Sequence, residues 1–319
     1  MRLPDDLVMI SALTTLLAAQ ISTQAWLMRQ LSPPNALLSA VTFLSEVIKM
    51  FVCLILYAWN YQSQKSTSCL SVSIAVRFAA IPAAIYSIQN LAASYSQKHL
   101  SVVVYNLLNQ SKVLSSALMG YIILGRRQSS LQLYALLLVF FGAVLAVMGS
   151  SQNDLIDSSV TGIICALVAS GLSGLSGSLA DAAIQDQYGD AIIFSAHISF
   201  FVLMTMTIGF FTDFLVRGDD SDVYAIYTRG GFLSAAGING SSSLGPLIPI
   251  LSSSIGGILV GQVTKMVGSV RKGLAVSAGV VLSAFLDRTA VDISIISAVG
   301  VSLVGVVIHS LESAKLKKL

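Results

Sequence analysis

Long apolar stretches, each about the length of a membrane-crossing helix, follow one another along the whole chain. A helix needs about 20 residues to cross the hydrocarbon core of a bilayer. The pattern predicts ten such helices, near 7–28, 36–58, 74–97, 101–124, 131–149, 160–182, 191–212, 244–266, 269–286 and 291–310. Pro246 and Pro249 interrupt the eighth stretch. We therefore expect an all-α membrane protein with ten transmembrane helices.

Composition and charge agree with this interpretation and suggest an orientation. The chain of 319 residues is 55% hydrophobic and only 10% charged, whereas charged residues make up about 25% of a soluble domain. Ten spans place both termini on one side of the membrane, and that side carries eight Lys and Arg residues against five opposite. Because the side richer in Lys and Arg usually faces the cytosol, we expect both termini to be cytosolic.

Two lysines lie at matching places in the predicted membrane segments of the two halves. Lys112 stands in the middle of the fourth stretch, and Lys272 occupies the matching place in the second half, 160 residues later. A lysine at mid-membrane depth costs about 2.5–3.5 kcal/mol on insertion scales. Each should therefore face a polar cavity, a partner or an anionic ligand. Glu46 is the one acid that we place deep in a span, so the embedded charge is positive and favours a carrier of anions.

The two halves of the chain resemble each other around these lysines. Each lysine precedes an apolar helix, a charged turn and a span that contains a glycine, with spacings that agree within two residues. A duplicated unit with five spans inserts its second copy upside down, which places a binding site between the copies near the midplane. We predict inverted five-helix repeats over residues 1–150 and 151–319. The alternative is chance similarity between apolar helices.

Polar side chains form stripes on two predicted helices. Tyr105, Asn109 and Lys112 stand at i, i+4 and i+7 on the fourth span, and Tyr86 and Asn90 stand at i and i+4 on the third. Residues at these spacings share one helix face. A ring beside hydrogen-bonding groups can stack a base, read its edge and neutralise a phosphate. The alternative is polar contact between helices.

Weaker candidates lie on two further spans. Glu46 and Lys49 stand at i and i+3 on the second span and should pair, either as a structural ion pair or as a substrate contact. Ser195 and His197 on the seventh span either line a cavity or belong to the core.

Small residues recur on the sixth and eighth spans. They include Gly174 within a three-residue Ser-Gly repeat, as well as Gly257 and Gly261. Small residues let membrane helices approach closely, and we expect close packing at these positions.

Catalytic and cofactor signatures are absent from the sequence. It contains no phosphate-binding glycine loop, no cluster of metal ligands and no nucleophile with a base. The three cysteines match no disulfide or metal spacing, so we interpret them as packing residues. We expect neither enzymatic activity, nor a cofactor or metal, nor nucleic-acid binding.

Several motifs resemble those of the nucleotide-sugar transporters in the drug/metabolite transporter superfamily. The similarity covers almost the whole chain, and the motifs that carry it lie at 45–49, 84–90, 105–112, 256–260 and 270–273. They resemble the branch that carries CMP-sialic acid, UDP-galactose and UDP-N-acetylglucosamine. The sequences Leu-Asn-Gln-Ser-Lys and Gly-Ser-Val-Arg-Lys-Gly are most similar to its plant endoplasmic-reticulum members for UDP-N-acetylglucosamine and UDP-N-acetylgalactosamine. The resemblance implies the drug/metabolite transporter fold.

The resemblance also implies roles for individual residues. The positions of Tyr86, Asn90 and Tyr105 surround the pyrimidine nucleotide, and those of Lys112 and Lys272 meet its phosphate. Lys49 matches a position near the sugar and phosphate. The predicted binding set also includes Glu46, Asn109, Ser195, His197 and Arg271.

One segment and two single positions depart from the branch, and the segment concerns recognition of the base rather than of the phosphate. The segment 194–197 replaces the Arg-Asn-x-Gln motif that helps to read the base in the CMP-sialic acid and UDP-galactose members. Ser176 replaces an aromatic residue, and Gly261 replaces a serine.

The expected function is exchange of a pyrimidine nucleotide sugar for the nucleoside monophosphate by alternating access. UDP-N-acetylglucosamine or UDP-N-acetylgalactosamine is the favoured substrate, with CMP-sialic acid or UDP-galactose as the alternative. Alternatives of another class are a polyspecific exporter of metabolites or drugs and an interaction protein that does not transport.

The C-terminal sequence suggests a location in the endoplasmic reticulum or Golgi. Lys315 and Lys317 form a dilysine pattern that cytosolic coat proteins recognise. The alternative is a basic tail that binds anionic lipid headgroups. Asn239 begins an N-glycosylation sequon on the predicted luminal side.

Overall fold

The computed structural model of the protein describes residues 3–33, 35–63, 72–100, 102–149, 160–188, 190–238 and 245–286, together with 297, 300–301, 304–305, 307–309 and 311–312. Every regular element in these ranges is helical. The all-α expectation is thus confirmed for the described part of the chain. Asn239, Lys315, Lys317 and most of the tenth predicted span lie outside it.

The α-helices, in chain order, are α1 Leu3–Leu31, α2 Leu38–Ser63, α3 Val72–Phe78, α4 Ala80–His99, α5 Val102–Leu124, α6 Ser130–Gly149, α7 Val160–Ala183, α8 Ala191–Arg217, α9 Asp222–Thr228, α10 Phe232–Ala235 and α11 Leu247–Leu286. A π-helical turn, Ile184–Tyr188, extends α7, and a 3₁₀ turn, Gly218–Asp220, follows α8.

Two of the predicted spans meet inside α11. This helix has 40 residues, and at 1.5 Å per residue it would be about 60 Å long, twice the hydrocarbon thickness. Gly268 interrupts it with φ 83° and ψ 169°, a conformation that glycine adopts without a Cβ penalty. The interruption separates the predicted eighth and ninth spans.

The third predicted span consists of two helices, α3 and α4, with a turn at Ala79 between them. The break has a local cause. Pro82 has no backbone N–H to donate to the carbonyl of Phe78 four residues earlier, and its ring crowds that carbonyl. The sequence pattern predicted the apolar segment but not its division.

The described helices have the length and surface of membrane segments. Four are long and apolar enough to cross a bilayer, over Leu38–Trp59, Val160–Tyr188, Ala191–Asp220 and Leu247–Gly268. Large apolar side chains are exposed on several helices: Leu91 is 73% exposed and Val216 is 84% exposed. Such surfaces are unfavourable in water but match lipid. The protein is therefore a multi-pass membrane protein.

The chain divides into two compact units, and each contains segments from both halves of the sequence. Unit 1 comprises Met1–Ser22, Ile88–Ala182 and Met266–Leu319, and unit 2 comprises Thr23–Ser87 and Ala183–Lys265. The inverted repeats over 1–150 and 151–319 remain a prediction.

Each unit has an apolar core between helices. In unit 1, Val113 and Ala117 of α5 pack against Leu136 and Val139 of α6. In unit 2 one cluster of buried residues comes from α2, α9, α10 with the residue that follows it, and α11, and it contains Ala40, Val41, Ile226, Ala235, Ala236 and Ile250. The Phe43 and Phe232 rings stack beside them, with centroids 4.4 Å apart.

Candidate functional site

The polar stripe of α5 lies between the two sides of the helix that contact its neighbours. Val113 and Ala117 face α6, while the Leu108 carbonyl accepts a hydrogen bond of 3.2 Å from the Ser170 hydroxyl of α7. At about 100° per residue, Lys112 falls between these two directions. The stripe residues Tyr105, Asn109 and Lys112 are all half-buried, so this face is neither part of the core nor fully exposed.

Small residues of α7 bring that helix close to α5. A Cβ at Gly174 would lie 2.1 Å from Ser115 Oγ and 2.6 Å from the Ser115 carbonyl carbon. The Ser115 hydroxyl donates a hydrogen bond of 3.0 Å to the Gly171 carbonyl. The predicted close approach is confirmed at Gly174, whereas a Cβ at Gly171 of the same repeat would meet nothing within 4 Å.

Lys112 and Lys272 both belong to unit 1. Both side chains are half-buried, and the positive charge of Lys272 acts on Lys112. Because a charge in apolar surroundings is costly, two lysines within reach of each other's charge favour the binding of an anion. The side chain of Arg271 lies outside the described residues.

The aromatic member of the α5 stripe packs against the neighbouring helix. Tyr105 and Leu108 lie against the buried pair Leu100 and Ala166. One part of the Tyr105 ring is therefore held by apolar contact while the residue remains half-buried, so its position is fixed by packing.

The α4 stripe lies where the chain crosses from one unit to the other. Tyr86 belongs to unit 2 and Asn90 to unit 1, and both are half-buried. Within unit 1, Gln89 accepts a hydrogen bond of 3.4 Å from the Ser176 hydroxyl of α7. Ser176, one of the departures noted in the sequence motifs, thus contacts the amide side chain of Gln89, which precedes Asn90 in the sequence.

Glu46 and Lys49 form the ion pair that their i, i+3 spacing predicts. Lys49 Nζ lies 2.6 Å from Glu46 Oε1. Gly257 of α11 makes room for this pair, because a Cβ there would lie 2.6 Å from Lys49 Cδ. Glu46 Oε2 is buried and has no hydrogen-bond partner among the described residues. The pair therefore retains one acceptor for a further donor.

Ser195 and His197 occupy different environments on α8. Ser195 faces α11, where a Cβ at Gly261 would lie 2.6 Å from Ser195 Oγ. His197 Nδ1 is 3.0 Å from the Tyr188 hydroxyl, and the two rings contact at a centroid distance of 5.5 Å. The histidine thus has the polar partner expected of a core residue.

The structure also contains an ion pair that sequence reasoning missed. Arg126 Nη1 lies 2.7 Å from Asp181 Oδ2, and the Asp181 side chain is fully buried. Asp181 lies at the end of the predicted sixth span, so the search for acids deep in a span did not identify it. The available signal was an aspartate within the apolar end of the sixth span. In the described ranges, no three His, Cys, Asp or Glu side chains cluster as metal ligands.

Comparison with known proteins gives one consistent result. The model of the nucleotide-sugar transporter family matches residues 6–311. The UDP-N-acetylglucosamine transporter ROCK1 of Arabidopsis thaliana is 29% identical over 280 residues, which cover 85% of this chain and 81% of that protein. CMP-sialic acid transporter 2 of Oryza sativa subsp. indica is 27% identical over 279 residues, which cover 86% of this chain and 74% of that one.

A solved crystal structure has a similar fold. Its TM-score is 0.65 at 13% sequence identity, and the similarity covers 97% of this chain and 99% of the other. At this identity the likeness concerns the fold alone. The resemblance noted in the sequence motifs is confirmed by the family match.

Proposed function

Since the chain belongs to the nucleotide-sugar transporter family and is not an enzyme, we propose that it exchanges a pyrimidine nucleotide sugar for the corresponding nucleoside monophosphate. The exchange would occur across the membrane of the endoplasmic reticulum or Golgi. The observation that carries the proposal is the pair of half-buried lysines in unit 1, Lys112 and Lys272, because the phosphates shared by both ligands would offset their positive charges.

The same charge argument favours exchange over one-way transport. With no anion bound, the carrier would have to reorient while the positive charges of the two lysines are not compensated, which is costly in a low-dielectric site. A nucleotide sugar or a monophosphate removes that cost in either direction. In this proposal the ten-helix inverted-repeat architecture gives alternating access to the central site, with both termini cytosolic.

The remaining predicted residues have secondary roles in this proposal. Tyr86, Asn90 and Tyr105 bind the pyrimidine nucleotide. Asn109 and Arg271 supplement the lysines, which bind the phosphate. Lys49 is proposed to bind near the sugar and phosphate of the ligand. Glu46 Oε2, which has no hydrogen-bond partner among the described residues, is the proposed acceptor for a sugar hydroxyl or amide donor. Ser195 and His197 complete the proposed binding set.

UDP-N-acetylglucosamine or UDP-N-acetylgalactosamine is the proposed sugar nucleotide, since ROCK1 is a UDP-N-acetylglucosamine transporter and is 29% identical. CMP-sialic acid and UDP-galactose are the alternatives, the former supported by the 27% identical rice protein.

Exchange in proteoliposomes tests this function. Vesicles containing the purified protein and preloaded with UMP should take up labelled UDP-N-acetylglucosamine, whereas vesicles without internal nucleotide should take up much less. The panel should include UDP-N-acetylgalactosamine, UDP-galactose, CMP-sialic acid with internal CMP, and GDP-mannose as a purine control. Uptake equal for all of them would indicate a polyspecific exporter. A thermal unfolding curve shows whether the purified protein is folded. If folded protein takes up none of the nucleotides, the result would instead support a role without transport.

The proposed location depends on the C-terminal dilysine pattern. Changing Lys315 and Lys317 to Ser in a tagged full-length protein should move it from reticular to Golgi or later membranes, because coat proteins would no longer retrieve it. Changing Lys318 to Ser is the control, since it removes a positive charge from the same tail outside the pattern. An unchanged distribution of the double variant in microscopy would leave lipid binding by a basic tail as the explanation.

A further inference from the structure

The Arg126–Asp181 ion pair lies at the interruption of α11. Arg126 follows α5, Asp181 lies near the end of α7, and Gly268 is the interruption itself. All three belong to unit 1. A Cβ on Gly268 would lie 2.8 Å from Arg126 Nη1 and 3.2 Å from Asp181 Oδ2. The two charged groups are therefore in direct contact with the backbone where α11 changes direction.

The pair is anchored on its acidic side. Asp181 is fully buried, whereas the Arg126 side chain is 39% exposed. Attraction between opposite charges is strongest where water is excluded, and a buried carboxylate requires a partner. Asp181 thus fixes the position of the guanidinium, and the guanidinium occupies the space beside Gly268.

Lys272 follows this contact by one helical turn. It is four residues beyond Gly268, about 6 Å along a helix axis at 1.5 Å per residue. A change in the backbone dihedrals of Gly268 rotates the segment that follows it. The position of Lys272 near Lys112 therefore depends on how the interruption is held.

We propose that Arg126 and Asp181 are positioning residues for the anion site: their ion pair braces the α11 interruption at Gly268 and so holds Lys272 beside Lys112. The inference rests on the proposed function, in which both lysines bind phosphate. It assigns a binding role to two residues that touch no phosphate themselves. The ordinary alternative is an ion pair that stabilises the fold without affecting the lysines in particular.

The experiment compares UMP with uridine, which lacks the phosphate. Affinities are measured on full-length protein in detergent, UMP by calorimetry and uridine by competition. Arg126→Gln should lower the UMP affinity by about 10-fold or more, which is the size expected for the loss of a charge-assisted contact. It should change the uridine affinity by less than about twofold. Arg126→Lys, which keeps a cation, should recover part of the UMP affinity. The matched control is Arg127→Gln, which removes the same charge from the neighbouring exposed residue and should leave both ligands unchanged.

Two further variants separate positioning from a general structural effect. Gly268→Ala changes no charge but introduces a Cβ into the space that Arg126 occupies, and it should lower UMP affinity without lowering uridine affinity. Gly268→Ala also tests the positioning role if Arg126→Gln does not fold. Adding Arg126→Gln to Lys272→Gln should cause no further loss of UMP affinity, because the arginine acts through that lysine.

The outcomes distinguish this inference from the proposed function. If the wild-type protein binds no UMP, both are overturned. The positioning role alone is tested if the wild type binds UMP and Lys272→Gln lowers the UMP affinity. It is then overturned if Arg126→Gln and Gly268→Ala lower the affinities for UMP and uridine equally, or lower neither affinity.

Discussion

Replacing Lys112 or Lys272 with glutamine should weaken UMP binding by about 10- to 150-fold, because each ammonium group is proposed to make a charge-assisted hydrogen bond to phosphate, worth about 1.5–3 kcal/mol. The free protein should unfold at the same or a higher temperature than the wild type. Either substitution removes a charge from apolar surroundings and relieves the repulsion between the two lysines. The measurement is a thermal unfolding series with increasing UMP.

Two control variants make this result specific. Lys265→Gln removes a positive charge from an exposed position of α11 and should bind UMP as the wild type does. Tyr105→Ala should weaken UMP and uridine together, since its proposed contact is to the nucleoside, whereas the lysine variants should weaken UMP only. The phosphate assignment would be refuted if the UMP concentrations that stabilise the wild type stabilised the lysine variants equally.

Gly174→Ala should destabilise the protein by about 1–3 kcal/mol, the usual range for inserting atoms into a packed interior. The new Cβ would lie 2.6 Å from the Ser115 backbone, so α5 and α7 must move apart. Helix propensity alone would favour alanine by about 1 kcal/mol; a net loss therefore reports the close approach. A fall in unfolding temperature in detergent, together with weaker UMP binding, is the expected measurement.

Gly171→Ala is the matched control, one helical turn away on the same helix. A Cβ at Gly171 would meet nothing within 4 Å, and the substitution should be neutral or stabilising by up to about 1 kcal/mol. Adding Ser115→Gly to Gly174→Ala should restore part of the stability, because it removes the hydroxyl and the Cβ that the new methyl group meets. Equal stability of Gly171→Ala and Gly174→Ala would contradict the packing described above.

Local sequence features predicted a large part of the architecture and part of the site. The apolar runs correspond to helices because lipid requires each segment to satisfy its own backbone hydrogen bonds. The Glu46–Lys49 pair was predictable for a similar reason, since residues three apart on a helix are neighbours whatever surrounds them. Lys112 and Lys272 could be linked because a charge in an apolar run is costly and two matching charges suggest one ligand.

Contacts distant in sequence could not be predicted in this way. Arg126 and Asp181 are 55 residues apart, and nothing in either local pattern identifies the other as its partner. The sequence indicated that Gly174 and Gly257 sit on close-packed faces, but not that Ser115 and Lys49 lie opposite them.

The sequence by itself determined which segments enter the membrane and which polar side chains they carry. These follow from the hydrophobicity of short segments and from helix geometry. The tertiary structure decided which helix faces meet, and hence that Arg126 and Asp181 contact Gly268 and that His197 is partnered by Tyr188. The physical reason is that lipid contact drives insertion of apolar segments but discriminates little between their faces, so packing of small residues and pairing of buried polar groups select the arrangement.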